Sequence, residues 1–75
     1  MFKENGTIVL KVDIPDKGLK SGDIGTVALV HESGDGHEVE FVNFDGETIA
    51  IISLTSKDMR PTSKRDIPHV RELAA

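Results

Sequence analysis

The sequence predicts an all-β fold: a small five-stranded barrel over residues 1–61, followed by a short, mildly basic C-terminal tail or helix over residues 62–75. Three observations carry this reading. From Leu19 to Val30 a glycine-punctuated turn, Ser21-Gly22-Asp23-Ile24-Gly25, runs directly into the β-branched stretch Thr26-Val27-Ala28-Leu29-Val30, as where a loop ends and a curled sheet begins. Two more turns, Ser33-Gly34-Asp35-Gly36 and Asn43-Phe44-Asp45-Gly46, separate alternating apolar segments at hairpin spacing. Finally, a chain of 75 residues supports one compact core, burying about 60% of the surface that its unfolded form exposes.

Asn5-Gly6 forms a turn ahead of the first strand, and Phe2 is placed to cover one open end of the barrel. Thr7 to Val12 is the first strand, with Ile8, Leu10 and Val12 facing inward by the period of two. Asp13 to Asp23 is a loop of about ten residues, the length of the folded arm that follows the first strand of an SH3-like barrel, pinned to the core by Ile14, Pro15 and Leu19. Thr26 to Glu32 is the second strand and His37 to Val42 the third, in which Val39 and Phe41 alternate with Glu38 and Glu40 to leave one wet, acidic face. Glu47 to Leu54 is nearly all apolar and reads as the central, best-buried strand. A single helical turn over Thr55 to Asp58 then leads into Met59-Arg60-Pro61, whose proline suits an edge. The expected core is Ile8, Leu10, Val27, Leu29, Phe41, Ile49, Ile51 and Leu54, with Phe44 also assigned to it, and positive φ is expected at Gly25 and Gly46.

In the tail, Asp66 can cap a helix with Pro68 in its first turn, which places Ile67, Val70, Leu73 and Ala74 on one stripe. So short a helix is unstable alone in water, so the stripe either packs on the barrel or waits for a partner. The second outcome is expected, because the barrel is complete by Pro61 and the linker from Thr62 to Arg65 has no apolar anchor. Lys64, Arg65 and Arg71 are expected to be drawn to the acidic face of Glu38 and Glu40.

Charge is unevenly spread. Met1 to Leu54 holds four Lys against ten Asp or Glu, whereas Thr55 to Ala75 holds five Lys or Arg against three acids. The net charge of -4 opposes a sequence-independent grip on nucleic acid, which needs Lys and Arg to release counterions from phosphates. With no Cys, there is no disulfide, thiolate metal site or cysteine nucleophile, a composition that fits a reducing cytoplasm. The opening Met-Phe-Lys-Glu-Asn-Gly has charge and a turn where a signal peptide needs an apolar run, and no stretch has membrane-spanning character, so a cytoplasmic, membrane-free protein is expected.

Candidate chemistry is sparse. The hairpin around Asp35 brings His31, Glu32, His37 and Glu38 into one neighbourhood, but two histidines on strands of opposite direction need not share a face, and a closed metal site needs four converging ligands. Solvated polar residues are the better account. The serines lack a nucleophile motif, the glycine turns lack the Lys and Ser or Thr of a phosphate loop, and Glu38 with Glu40 has no pocket to raise a carboxyl pKa. No catalytic residue, cofactor or metal is therefore expected. The absence of Tyr and Trp also excludes proline-peptide stacking and methyl-lysine cages.

Leu19-Lys-Ser-Gly-Asp-Ile-Gly-Thr-Val, Glu38-Val-Glu-Phe-Val-Asn-Phe-Asp-Gly-Glu-Thr, the run from Ala50 to Leu54 and Asp58-Met-Arg-Pro together resemble a small bacterial family, domain of unknown function 4926, over about Phe2 to Pro61. The resemblance implies an SH3-like barrel and genes set beside a second small protein in a toxin-antitoxin-like pair. Gly22 to Val30 is also similar to the KOW motif, which would imply a nucleic-acid-associated barrel, and Gly25-Thr-Val with Val39-Glu-Phe is similar to the E subunit of photosystem I. The expected function is a non-enzymatic protein-interaction module, monomeric or weakly homodimeric, antitoxin-like in binding a protein partner. Its expected contact residues are Glu38, Glu40, Ile67, Val70, Arg71 and Leu73.

Overall fold

The computed structural model describes residues 2–73. Five antiparallel strands form one sheet: β1 (Thr7–Leu10), β2 (Ile24–Val30), β3 (His37–Val42), β4 (Thr48–Leu54) and β5 (Met59–Pro61), in the order β4-β3-β2-β1-β5. The described residues are all-β apart from a 3-10 turn at Pro15–Lys17, and no helix among them is long and apolar enough to cross a membrane. The first four strands form a meander, and β5 returns to the free side of β1, pairing Leu10 with Met59 and Ile8 with Pro61. Proline is tolerated there because β5 is an edge.

Ile8, Leu10, Leu19, Val27, Val39, Phe41, Leu54 and Met59 form the buried core. The alternation in β3 is as expected for Val39 and Phe41, which are buried with Glu38 and Glu40 on the other face, but His37, expected to be solvated on the hairpin, continues the inner face and is buried too. Phe2 packs against the core and meets His37 edge-on, with ring centroids 5.1 Å apart.

Two irregularities in register correct the predicted core. In β2, Val27 pairs with Val39 but Leu29 pairs with Glu38, so Ala28 is an extra residue on its strand. Such a bulge reverses the alternation beyond it. Leu29 therefore points outward at 48% exposure, while Val30 packs against the core. In β4, Ala50, Ile52 and Leu54 oppose Phe41, Val39 and His37, which turns Ile51 outward beside Glu40 at 58% exposure. Ile49 is the extra residue between Thr48 and Ala50, and it packs partly against the core. Nor is β4 central: it is an edge strand with only Leu54 fully buried. A continuous apolar run here serves one inner face and one outer face that remains open.

β1 ends at Leu10 rather than Val12; the Lys11 N–H donates to the Asp58 carbonyl at 2.7 Å, and Val12 is left exposed. The long loop is pinned as expected by Leu19 and by Ile14, which bridge each other, although Pro15 itself is exposed. Thr55 to Asp58 is a turn rather than a helix, closed by the Asp58 carboxylate accepting from the Thr55 N–H and hydroxyl at 3.0 and 3.1 Å.

Gly46 has φ of 82°, as a hairpin turn requires. Gly25 does not have a positive φ; its role is steric. A Cβ there would lie 2.7 Å from Val39 Cγ1 and 2.8 Å from Phe41 Cε2, so the glycine lets the Phe41 ring close directly over the β2 backbone.

Candidate functional site

The tail supplies the most developed surface. After β5, the Arg60 guanidinium donates to both Asp66 oxygens at 2.9 and 2.7 Å, and Asp66 also accepts from the Ser63 N–H at 2.7 Å. Asp66 thus closes a turn instead of capping a helix, and 67–73 continue without regular structure, the tail alternative of the two expected. Ala74 of the expected stripe lies outside the described residues. The hydrogen bonds from Arg60 and Ser63 hold the Asp66 carboxyl well below the usual carboxylate range.

Beyond this turn the chain lies across the mouth of the loop that precedes β2. Arg71 Nε donates to Asp23 Oδ1 at 2.8 Å, and Nη2 donates to Asp23 Oδ2 at 2.6 Å and to the Gly18 carbonyl at 2.8 Å. Local structure prepares both acceptors. Gly18 ends the 3-10 turn in the left-handed conformation with its N–H bonded to the Pro15 carbonyl, and the Lys20 N–H holds Asp23 Oδ2 at 2.8 Å. Partial burial pushes the Asp23 carboxyl up, but the hydrogen bonds from Arg71 and Lys20 outweigh it and leave the group lowered. Asp23 therefore stays ionised, as a fork-shaped pairing with a guanidinium needs.

Beside this ion pair is a groove of about 270 Å³, walled by Ile24, Val42 and Ile49 of the sheet, by Phe44 of the β3–β4 turn and by Val70 and Leu73 of the tail. Phe44, assigned to the core from sequence, is 94% exposed at the tip of the β3–β4 hairpin. The cause is the turn: Asn43 Oδ1 accepts the N–H groups of Asp45 and Glu47 at 3.0 and 2.9 Å, fixing a tight loop in which Phe44 stands outside the sheet. Ile67 and Val70 are also largely exposed, and Leu73 is half-exposed.

Glu38 and Glu40 occupy the outer face of β3 but do not meet Arg71. Glu38 Oε2 accepts from His31 Nε2 at 2.8 Å and from the Ser53 hydroxyl at 2.5 Å, and Glu40 accepts from the Thr48 hydroxyl at 2.5 Å. The bonds from Ser53 and His31 hold the Glu38 carboxyl below its ordinary value. Among the six residues expected to bind a partner, the structure gathers Val70, Arg71 and Leu73 at the groove; Glu38 and Glu40 lie on the outer face of β3 and do not line it, and Ile67 projects into solvent.

His31 and His37 fall on opposite faces. His37 is buried with Nδ1 unpaired, 3.9 Å from an Asp35 oxygen, whereas His31 is exposed on Glu38. No group of three or more potential metal ligands forms among the described residues. Asp35 instead accepts from the Ser56 N–H and hydroxyl at 3.0 and 2.5 Å, tying the β2–β3 and β4–β5 turns together.

Asp23, Gly18 and Phe44 were not singled out from sequence as site residues. An arginine flanked by apolar residues in a tail on an acidic body is a signal that some acid will be paired, yet nothing local says which. Comparisons with curated proteins and with solved structures found no match. The family model described as Domain of unknown function (DUF4926) matches residues 4–61, the whole sheet from the turn before β1 to the end of β5, and the chain belongs to that family.

Proposed function

We propose that the chain is a non-enzymatic protein-interaction module of the cytoplasm, the partner-binding, antitoxin-like member of a pair, which takes a protein partner at the apolar surface headed by Phe44 of the β3–β4 hairpin. The observation that carries this reading is Phe44, a large aromatic side chain 94% exposed at the head of an apolar groove, the kind of rigid anchor that dominates binding energy at protein interfaces. The carboxylates of Asp23, Asp35, Glu38 and Asp66 are each held by partners that close a turn, a cross-strand contact or the tail, which supports a structural role for them.

Copurification with the tagged chain, followed by titration of the purified partner, tests the reading. Phe44→Ser is expected to weaken binding at least about tenfold with no loss of folded structure, since hot-spot aromatics commonly carry that much. Affinity should fall only mildly with salt, because a phosphate-bound ligand would instead be lost steeply. Unchanged affinity in Phe44→Ser, or a steep salt dependence traced to nucleic acid, would overturn it.

A further inference from the structure

We infer that Asp23 and the Gly18 carbonyl form an arginine-reading site, that the chain's own tail occupies it in the resting state, and that the partner enters by presenting an extended segment with its own arginine flanked by apolar residues. This deepens the proposed interaction function and rests on it. The acceptors converge on one guanidinium: a carboxylate that takes Nε and Nη2 at 2.8 and 2.6 Å, and a backbone carbonyl that takes Nη2 again at 2.8 Å. A lysine offers a single point of charge and cannot span this fork.

Both acceptors lie in the loop from Ile14 to Asp23, whose own hydrogen bonds position them without any help from the tail. The Ile14 N–H donates to the Leu19 carbonyl at 2.9 Å, the Gly18 N–H to Pro15 at 3.0 Å and the Lys20 N–H to Asp23 at 2.8 Å. A preset site of this kind can bind an arginine supplied in trans as well as one supplied in cis. The acceptors also fall inside the family match at 4–61, whereas the arginine that fills them lies outside it.

The manner in which the tail is seated points to displacement. Its apolar side chains gain little: Ile67 is 88% exposed and Val70 66%, so the guanidinium is the main attachment beyond the Arg60–Asp66 turn. That turn sets the reach of the tail and keeps its effective concentration high, which favours occupancy in cis over exchange between copies. Charge complementarity chooses the occupant: residues 1–54 hold ten acids against four Lys, so an incoming segment is selected for an arginine.

The test uses the full chain and a synthetic peptide with the sequence of residues 66–75, followed by amide shifts in two-dimensional NMR. Arg71→Ala in the chain frees the site, and the peptide should then titrate the Gly18 and Asp23 amides saturably, about tenfold more tightly than in wild type if the tail occupies the site nine-tenths of the time. The same peptide with its arginine changed to alanine should not titrate them. Asp23→Asn in the chain should abolish the effect, and because the peptide control leaves the chain untouched, the result stands even if that variant folds poorly.

Absence of saturable shifts at Gly18 and Asp23, or equal affinity in wild type and Arg71→Ala, would overturn the inference. A wild-type dimer in sedimentation that Arg71→Ala converts to monomer would also overturn it, by making a second copy the occupant. The peptide titration involves no natural partner, so its failure is separable from a failure of the Phe44→Ser experiment.

Discussion

Arg71 grips Asp23 across 48 positions of sequence, through two hydrogen bonds of 2.8 and 2.6 Å to the two carboxylate oxygens. Through that contact a segment expected to await a partner lies on the sheet instead, and the acid it finds is in the loop before β2 rather than on the acidic face of β3. The neighbouring Arg60–Asp66 fork fixes the turn that makes this reach possible.

Acid should weaken the fold through these pairs. The Asp23, Asp35 and Asp66 carboxyls are held below their ordinary 3.8, and Glu38 below 4.5. A carboxyl depressed in the folded state contributes stability that is complete above its unfolded value and is lost as pH falls toward its folded one. Melting temperature is therefore expected to hold from neutral pH down to about 5 and to fall below about 4. The deficit of Asp23→Asn relative to wild type should shrink over the same acid range. A deficit independent of pH would show that the Asp23 charge does not contribute.

Phe41 closes the core against Val39, the Gly25 backbone and Ala50. Phe41→Ala should cost about 3–5 kcal/mol, a large fraction of the stability of a domain this small. Chemical denaturation measures it, and a loss under about 1 kcal/mol would contradict the placement of the ring.

Gly25 and Gly46 should fail for different reasons. Gly46→Ala strains a left-handed turn and is expected to cost about 1 kcal/mol, whatever its neighbours. Gly25→Ala forces a methyl against Val39 and Phe41 and should cost about 1–3 kcal/mol. Shortening the obstructing ring with Phe41→Leu should make the Gly25→Ala cost smaller than in the wild-type background, a non-additivity absent for Gly46. Equal additivity at both glycines would refute the steric account of Gly25.

Zinc or nickel should leave the melting temperature unchanged apart from weak, nonspecific effects, because His31 and His37 face opposite sides of the sheet. A saturable rise that disappears in His31→Ala would point to a site using the outer face of β3.

The sequence alone determined the all-β class, the number of strands and their succession along the chain, the two hairpin turns and the inward facing of Val39 and Phe41, because alternation and turn chemistry are local properties of a few consecutive residues. Val39 and Phe41 could be placed from their neighbours Glu38 and Glu40 alone. Only the tertiary structure decided that Ala28 and Ile49 are inserted residues, that Leu29 and Ile51 consequently face outward, and that β4 is an edge. Register is a relation between two strands, and one extra residue on either reverses every side chain beyond it. The same holds for the site. Arg71 could have met any of the acids in the body; the loop from Ile14 to Asp23, folded on its own hydrogen bonds and carried by β2 to the end of the sheet, chose Asp23 by placing a carboxylate and a free carbonyl where the tail passes.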